Sequence, residues 1–321
     1  MGYFKMSISQ IVCSNVHSCD DKEKKKVSII IPTYNRKEYL ERCLTSVFEI
    51  QYSPLEIIVV NDASTDDTRQ YLSTVKDPRL QVIHRPYNGG ASSARNSGVS
   101  LAKYEILAFT DDDCIVQHDW IRHLVAPFIE PTCGLVIGET WYRSINYSGS
   151  FPERLVNNEN AAWPMTCNMA YRREVFDVLG GFNDRYAYYH NEDTEMAIRA
   201  VANGWGFQRT LDAQVIHQET YWTKQSLLAS SRNVAVAIWL KKDYPDFHEV
   251  FGRQIEFGCL IRPSDYLKLL LLPVIVPIMF AKYLLLGNRD ISLFFTRWPI
   301  YILFRRFHIY QAAWRAKMLI F

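Results

Sequence analysis

Three apolar, β-branched runs each stop at a polar cluster, and this repeated arrangement constrains the fold more than any other feature of the chain. Val27–Ile31 runs into Pro32-Thr33-Tyr34-Asn35, Ile57–Val60 into Asn61-Asp62-Ala63-Ser64, and Glu105–Thr110 into Asp111-Asp112-Asp113. Continuous runs of this kind are strands covered on both faces. Helical patterns lie between them. Leu40, Cys43, Leu44 and Val47 recur at helical spacing. Asp66–Val75 reads as a helix, Leu80–Ile83 as a short strand, Asn88-Gly89-Gly90 as a turn, and Ala91–Ala102 as a helix packed through small residues. Strands alternating with helices predict right-handed βαβ units and an α/β fold with a mostly parallel sheet. Ligands of such sheets bind beyond the carboxyl ends of the strands, so the polar clusters should converge on one edge.

The second half is less regular. Trp163–Tyr171 and Gly180-Gly181-Phe182 suggest mixed sheet and loop, Glu192–Asn203 a helix, and Ala213–His217 a strand. Residues 138–165 resist assignment. From Tyr266 the character changes: Leu269–Leu286 is apolar apart from Lys282, and Ile291–Phe304 apart from Arg297. The expected organisation is a poorly ordered leader over 1–26, a main domain over 27–250 and a basic, apolar helical tail over 251–321.

Charge separates along the same lines. The 321 residues carry 36 Lys+Arg and 34 Asp+Glu, a net of +2, too little for a nucleic-acid coat. Residues 253–321 hold 10 basic and 3 acidic residues (+7), which leaves 26 and 31 (−5) for the rest. A basic and apolar tail points to a membrane surface. Leu269–Leu286 is long enough to span, but Pro273 and Pro277 each remove a backbone donor. Ile291–Phe304 would reach only about 21 Å as a helix, short of a hydrocarbon core of about 30 Å. A pair of shallow or re-entrant helices fits better than two spans; a buried helical hairpin is the other reading. Arg289, Arg297, Arg305, Arg306, Arg315 and Lys317 suit anionic lipid, and Trp298, Tyr301 and Trp314 suit the interface. No signal peptide is evident, and the seven cysteines lack CxxC or zinc-site spacing, which reads as reduced thiols on the cytoplasmic side.

Several residues could carry chemistry. Asp111-Asp112-Asp113 at a strand end sets three carboxylates side by side, and a hard divalent cation is the natural counter-charge. Glu192-Asp193 opens a helix, either as ordinary capping or as a general base. Asp62 reads as an acceptor for a nucleotide base or as an Asx turn. Arg36 and Arg95 suit phosphate or ion pairs, and His217 a metal or a structural role. The chain has no Walker A lysine loop, no GxGxxG after a strand and no GxSxG elbow.

VSIIIPTYNR, IIVVNDASTDDT, NGGASSARNSG, FTDDDC, CNMAYRREVF, GGFNDRY and NEDTEMAIRA follow one another between residues 27 and 200. In this order they closely resemble the family 2 glycosyltransferases, whose Rossmann-like fold is called GT-A. The resemblance covers about residues 27–220. It implies an inverting, hexosyltransferase-type enzyme that uses Mg²⁺ or Mn²⁺ to move sugar from a nucleotide-diphospho-sugar to a saccharide or lipid-linked hydroxyl. Pro32, Thr33, Arg36, Asp62 and Arg95 would line the nucleotide-sugar site, with Asp111 and Asp112 near the ribose and diphosphate. Asp113, with Asp111 and His217, would hold the metal. Asp193 would be the base, and Asn168, Gly181 and Glu192 would lie toward the acceptor. Gln225 is followed by Ser226-Leu227-Leu228-Ala229 rather than the QxxRW pattern of processive members, so transfer of one sugar is implied. The rival readings are a sugar-1-phosphate nucleotidyltransferase, which lacks its Gly-rich, Arg-bearing loop here, and a non-catalytic sugar-nucleotide or lipid-binding protein.

Overall fold

The computed structural model describes residues 24–142, 156–188, 190–218, 223–245, 249–250, 253–254, 267, 270–285, 291–296 and 300–318. Most of the leader, and in the tail 251–252, 255–266, 268–269, 286–290, 297–299 and 319–321, lie outside these residues.

The apolar runs form strands as expected: β1 (Val27–Thr33), β2 (Leu55–Asn61), β3 (Leu80–His84) and β4 (Ile106–Phe109) make the parallel half of an eight-stranded sheet in the order β3-β2-β1-β4. The other half continues β7-β6-β8-β5, from β5 (Cys114–Val116), β6 (Cys133–Tyr142), β7 (Met169–Arg172) and β8 (Gly206–His217). There β7 runs antiparallel to both β4 and β6, β6 and β8 are parallel, and β5 is antiparallel to β8.

Alternation of side chains divides the core between the two faces of β1. Val27, Ile29 and Ile31 pack with Leu40, Cys43, Leu44 and Val47 of helix α1 (Lys37–Phe48). Each such aliphatic side chain contributes about 1.5–3 kcal/mol by leaving water. Ile30 faces the other way, toward α3 (Gly90–Leu101). There a Cβ on Gly98 would lie 2.6 Å from Ile30 Cγ2, so only glycine lets this helix approach the sheet. An aromatic cluster of Phe109, Tyr171, Phe176 and Phe182 joins β4 and β7 to α5 (Arg173–Leu179).

Pro32 is tolerated in this central strand because it lies beyond the last β1–β4 pair, Ile30–Phe109, where no further ladder donor to β4 is needed. Chain reversal follows at once, and Asn35 takes a left-handed φ of 52°. Its side chain accepts from the Thr65 amide at 2.7 Å, which ties the loop after β1 to the loop after β2.

The first compact unit closes at Gln218, just after β8, ahead of the boundary expected near 250. The last sheet pairing ends at His217, and among the described residues none beyond it adds to this sheet. The second unit contains α8 (Lys224–Ser230), α9 (Val236–Asp243), α10 (Leu272–Leu285), α11 (Ile291–Phe295) and α12 (Tyr301–Ala316). Among the described residues no helix is long and apolar enough to cross a membrane. None of the residues of α10 is buried.

Candidate active site

The three acidic residues after β4 are bound by three different elements. Asp112 Oδ2 accepts from the Thr33 hydroxyl at the end of β1 at 2.7 Å. Arg36, next to the start of α1, reaches Asp112 Oδ1 at 3.2 Å and Asp113 Oδ2 at 2.7 Å. Arg95, fully buried in α3, donates to Asp111 Oδ1 at 2.5 Å and to Glu192 Oε1 at 2.9 Å. Burial works against charge on all of these groups. For Asp111 the adjacent Arg95 overcomes it and holds the carboxyl below its usual range. For Asp112 burial, reinforced by Asp113 and Asp111, prevails over Arg36 and pushes the carboxyl up to about 7.

His217 reaches this cluster because β5 pairs Cys114 directly with His217, which sets the imidazole beside the residue before Cys114. Its Nδ1 lies 2.8 Å from the Gln218 carbonyl, which can only accept, so Nδ1 carries the proton. That leaves Nε2 facing Asp113 Oδ1 at 3.3 Å. A proton or a cation between these two atoms would satisfy both of them. The Nδ1–H···O=C bond is the arrangement that orients a metal-binding histidine. The Cys114 sulfur also lies within 4.8 Å of both ligand atoms, but a hard cation favours oxygen and imidazole nitrogen over a buried thiol. The residues present therefore fit a divalent ion at Asp113 and His217.

Asp193 sits in the first turn of α7 (Glu192–Ala202). Its oxygens accept from the Thr194 amide at 2.7 Å and the Thr166 amide at 3.4 Å. Burial and the Glu192 charge nevertheless raise it to about 7, the range of a working general base. Trp163 steadies this helix start by donating from Nε1 to the Thr194 hydroxyl at 2.9 Å.

Three expected site residues make contacts within the protein. Asn168 does not face an acceptor: it is fully buried, accepts from Trp120 Nε1 at 2.8 Å and donates to the Glu139 and Ala213 carbonyls. Gly138 beside it has no room for a Cβ, which would fall 2.3 Å from the Asn168 amide oxygen. Gly181 takes a φ of +86° after α5, and its carbonyl accepts from Arg199, so it shapes a turn. Asp62 accepts from Arg85, from the Gly89 amide at 3.1 Å and from the Gly90 amide at 2.7 Å, and so fastens the end of β2 to the start of α3. Arg85 itself was not singled out in the sequence; its place just before Asn88-Gly89-Gly90 was the available signal.

Comparison with known proteins gives the family and the fold. The model of the family described as "Glycosyl transferase family 2" matches residues 28–195. Glycosyltransferase GlyG of Streptococcus pneumoniae is 34% identical over 127 residues, 39% of this chain and 42% of GlyG. The β-1,3-glucosyltransferase WfaP of Escherichia coli, named for UDP-Glc and α-D-GlcNAc-diphosphoundecaprenol, is 29% identical over 56% of this chain and 71% of its own. The match thus spans less than half of GlyG. Among solved structures, the mannosyltransferase PcManGT of Pyrobaculum calidifontis, in complex with GDP-Man and Mn²⁺, shares the fold. Its TM-score is 0.60 at 20% identity, over 90% of this chain and 88% of that one.

Proposed function

The chain belongs to glycosyl transferase family 2, and from that premise we propose that it transfers one sugar from a nucleoside-diphosphate sugar to an acceptor hydroxyl, with inversion, in cell-surface polysaccharide or glycolipid synthesis. The observation that carries this reading is the meeting of Thr33, Arg36, Arg95 and His217 on Asp111–Asp113, in the same compact unit as an Asp193 held near neutrality.

Thr33, Arg36 and Pro32 border the nucleotide site, with Asp62 shaping it through the Gly89–Gly90 loop. Asp113 and His217 would hold Mg²⁺ or Mn²⁺, with Asp111 and Asp112 alongside; when bound, the cation neutralises the leaving diphosphate. Asp193 takes the proton of the acceptor hydroxyl. That oxygen bonds to the anomeric carbon from the face opposite the diphosphate as the carbon–oxygen bond to the diphosphate breaks, and nucleoside diphosphate leaves. Glu192, paired with Arg95, sets the position of Asp193 rather than meeting the acceptor. A lipid-diphosphate saccharide is the acceptor class we favour, in line with the printed name of WfaP. The basic, apolar C-terminal part supports a place at the cytoplasmic face of the cell membrane.

The test is a panel of UDP-, GDP- and dTDP-sugars, read by calorimetric binding and by product analysis. One donor should bind and yield product of inverted anomeric configuration. Retention of configuration would overturn the single-displacement mechanism.

A further inference from the structure

The buried face of α12 is small and the opposite face is aromatic. Ile309, Ala312, Ala313 and Ala316 are buried, while Leu303, Phe307, Tyr310 and Trp314 are exposed, Phe307 by 59% and Trp314 by 86%. At 3.6 residues per turn those four exposed side chains fall within an arc of about 60°. Arg315, also exposed, lies beside that arc on the same helical wheel. Residues 300–318 hold four basic residues and no acidic one. In the same unit α10 is apolar along its length apart from Lys282, yet none of its residues is buried, and Leu285 is 87% exposed. Its 14 residues reach only about 21 Å, too short to cross a bilayer. A soluble surface does not ordinarily leave so much aromatic and aliphatic area uncovered.

We propose that the Leu303–Phe307–Tyr310–Trp314 face of α12 is a docking surface for an anionic lipid bilayer, with the rings seated at headgroup depth and Arg315 on lipid phosphate. Charge decides the occupant. Residues 300–318 carry four basic residues and no acidic one, so two copies meeting through this helix would repel, whereas an anionic leaflet attracts it. Tyrosine and tryptophan beside arginine are the side chains that settle at a membrane–water interface. The proposal builds on the placement given to the enzyme above, but its readout is independent of sugar transfer.

The experiment is flotation of the full-length chain with vesicles of phosphatidylcholine alone or mixed with phosphatidylglycerol. The native chain should float with the mixed vesicles, and less so in high salt. The double variant Phe307→Ser, Trp314→Ser should lose roughly tenfold or more of this binding, because interfacial affinity scales with the apolar area inserted. Both positions are exposed and outside the catalytic unit, so donor-sugar binding should stay unchanged and reports that the variant is folded. Undiminished flotation of the variant overturns the proposal. So does a native chain that ignores vesicles but self-associates through this face, as judged by sedimentation. Vesicle binding without any sugar transfer would leave this surface standing and remove the enzymatic reading instead.

Discussion

Arg95 and Glu192 stand 97 positions apart in the chain and meet at 2.9 Å, and the same guanidinium holds Asp111 at 2.5 Å. One buried cation therefore joins the acidic loop after β4 to the helix that bears Asp193. Removing it strands two carboxylates in a poorly solvated place. Arg95→Met should lower stability by about 3–5 kcal/mol, the cost of breaking a buried ion pair. Arg95→Lys should restore charge but not the fork that reaches both partners. Denaturant unfolding checks the first expectation. Nucleoside-diphosphate titration checks the second, with weaker binding expected for the lysine variant.

Asp193→Asn keeps the shape of the α7 start and removes the proposed base. The rate should fall by about 10²-fold or more, while donor affinity stays near normal. Single-turnover kinetics beside equilibrium donor binding separates the two quantities. Equal losses in both would make Asp193 a structural residue.

The pH profile follows from the same side chain. Burial first, and the Glu192 charge second, raise Asp193 to about 7, so the competent carboxylate forms only as pH rises through that value. kcat/KM should climb across neutrality and level off above it. Glu192→Gln removes the like charge and should shift the rising limb to lower pH. A limb that stays in place would assign it to another group.

Chelation should stop turnover, and Mg²⁺ or Mn²⁺ should restore it. Asp113→Asn and His217→Ala should each weaken metal-supported nucleotide binding, because each removes one of two atoms that converge at 3.3 Å. Turnover that survives both EDTA and Asp113→Asn would exclude this role for the cluster.

The parallel half of the sheet was legible because β1, β2 and β4 are continuous apolar runs and α1 repeats its buried positions at helical spacing. The other half was not. β5 is three residues long, and β6 is interrupted by Gly134 and Gly138 and shifts register between Gly138 and Glu139. β8 was read only from Ala213 because Arg209, Leu211 and Asp212 are exposed in its first part and mask the alternation. At the site, the polar clusters at the strand ends were legible, and Asp193 and His217 stood out as candidates by residue type and position. Their partners were not. The Arg95 bridge depends on how closely Gly98 lets α3 approach Ile30, and the burial of Asn168 depends on the β6–β8 pairing.

Ile30 and Phe109 are the last paired residues of β1 and β4, and Thr33 and Asp112, each three residues further on, meet at 2.7 Å. That contact works as a ruler with both arms set by residue count. Adding or deleting one residue in either strand turns every following side chain to the opposite face. The hydroxyl and the carboxylate would then point to different sides of the sheet. Changes in chain length are confined by this arithmetic to the loops, so variants of this protein can diverge in what surrounds the site but not in the span of backbone that delivers Thr33 to Asp112.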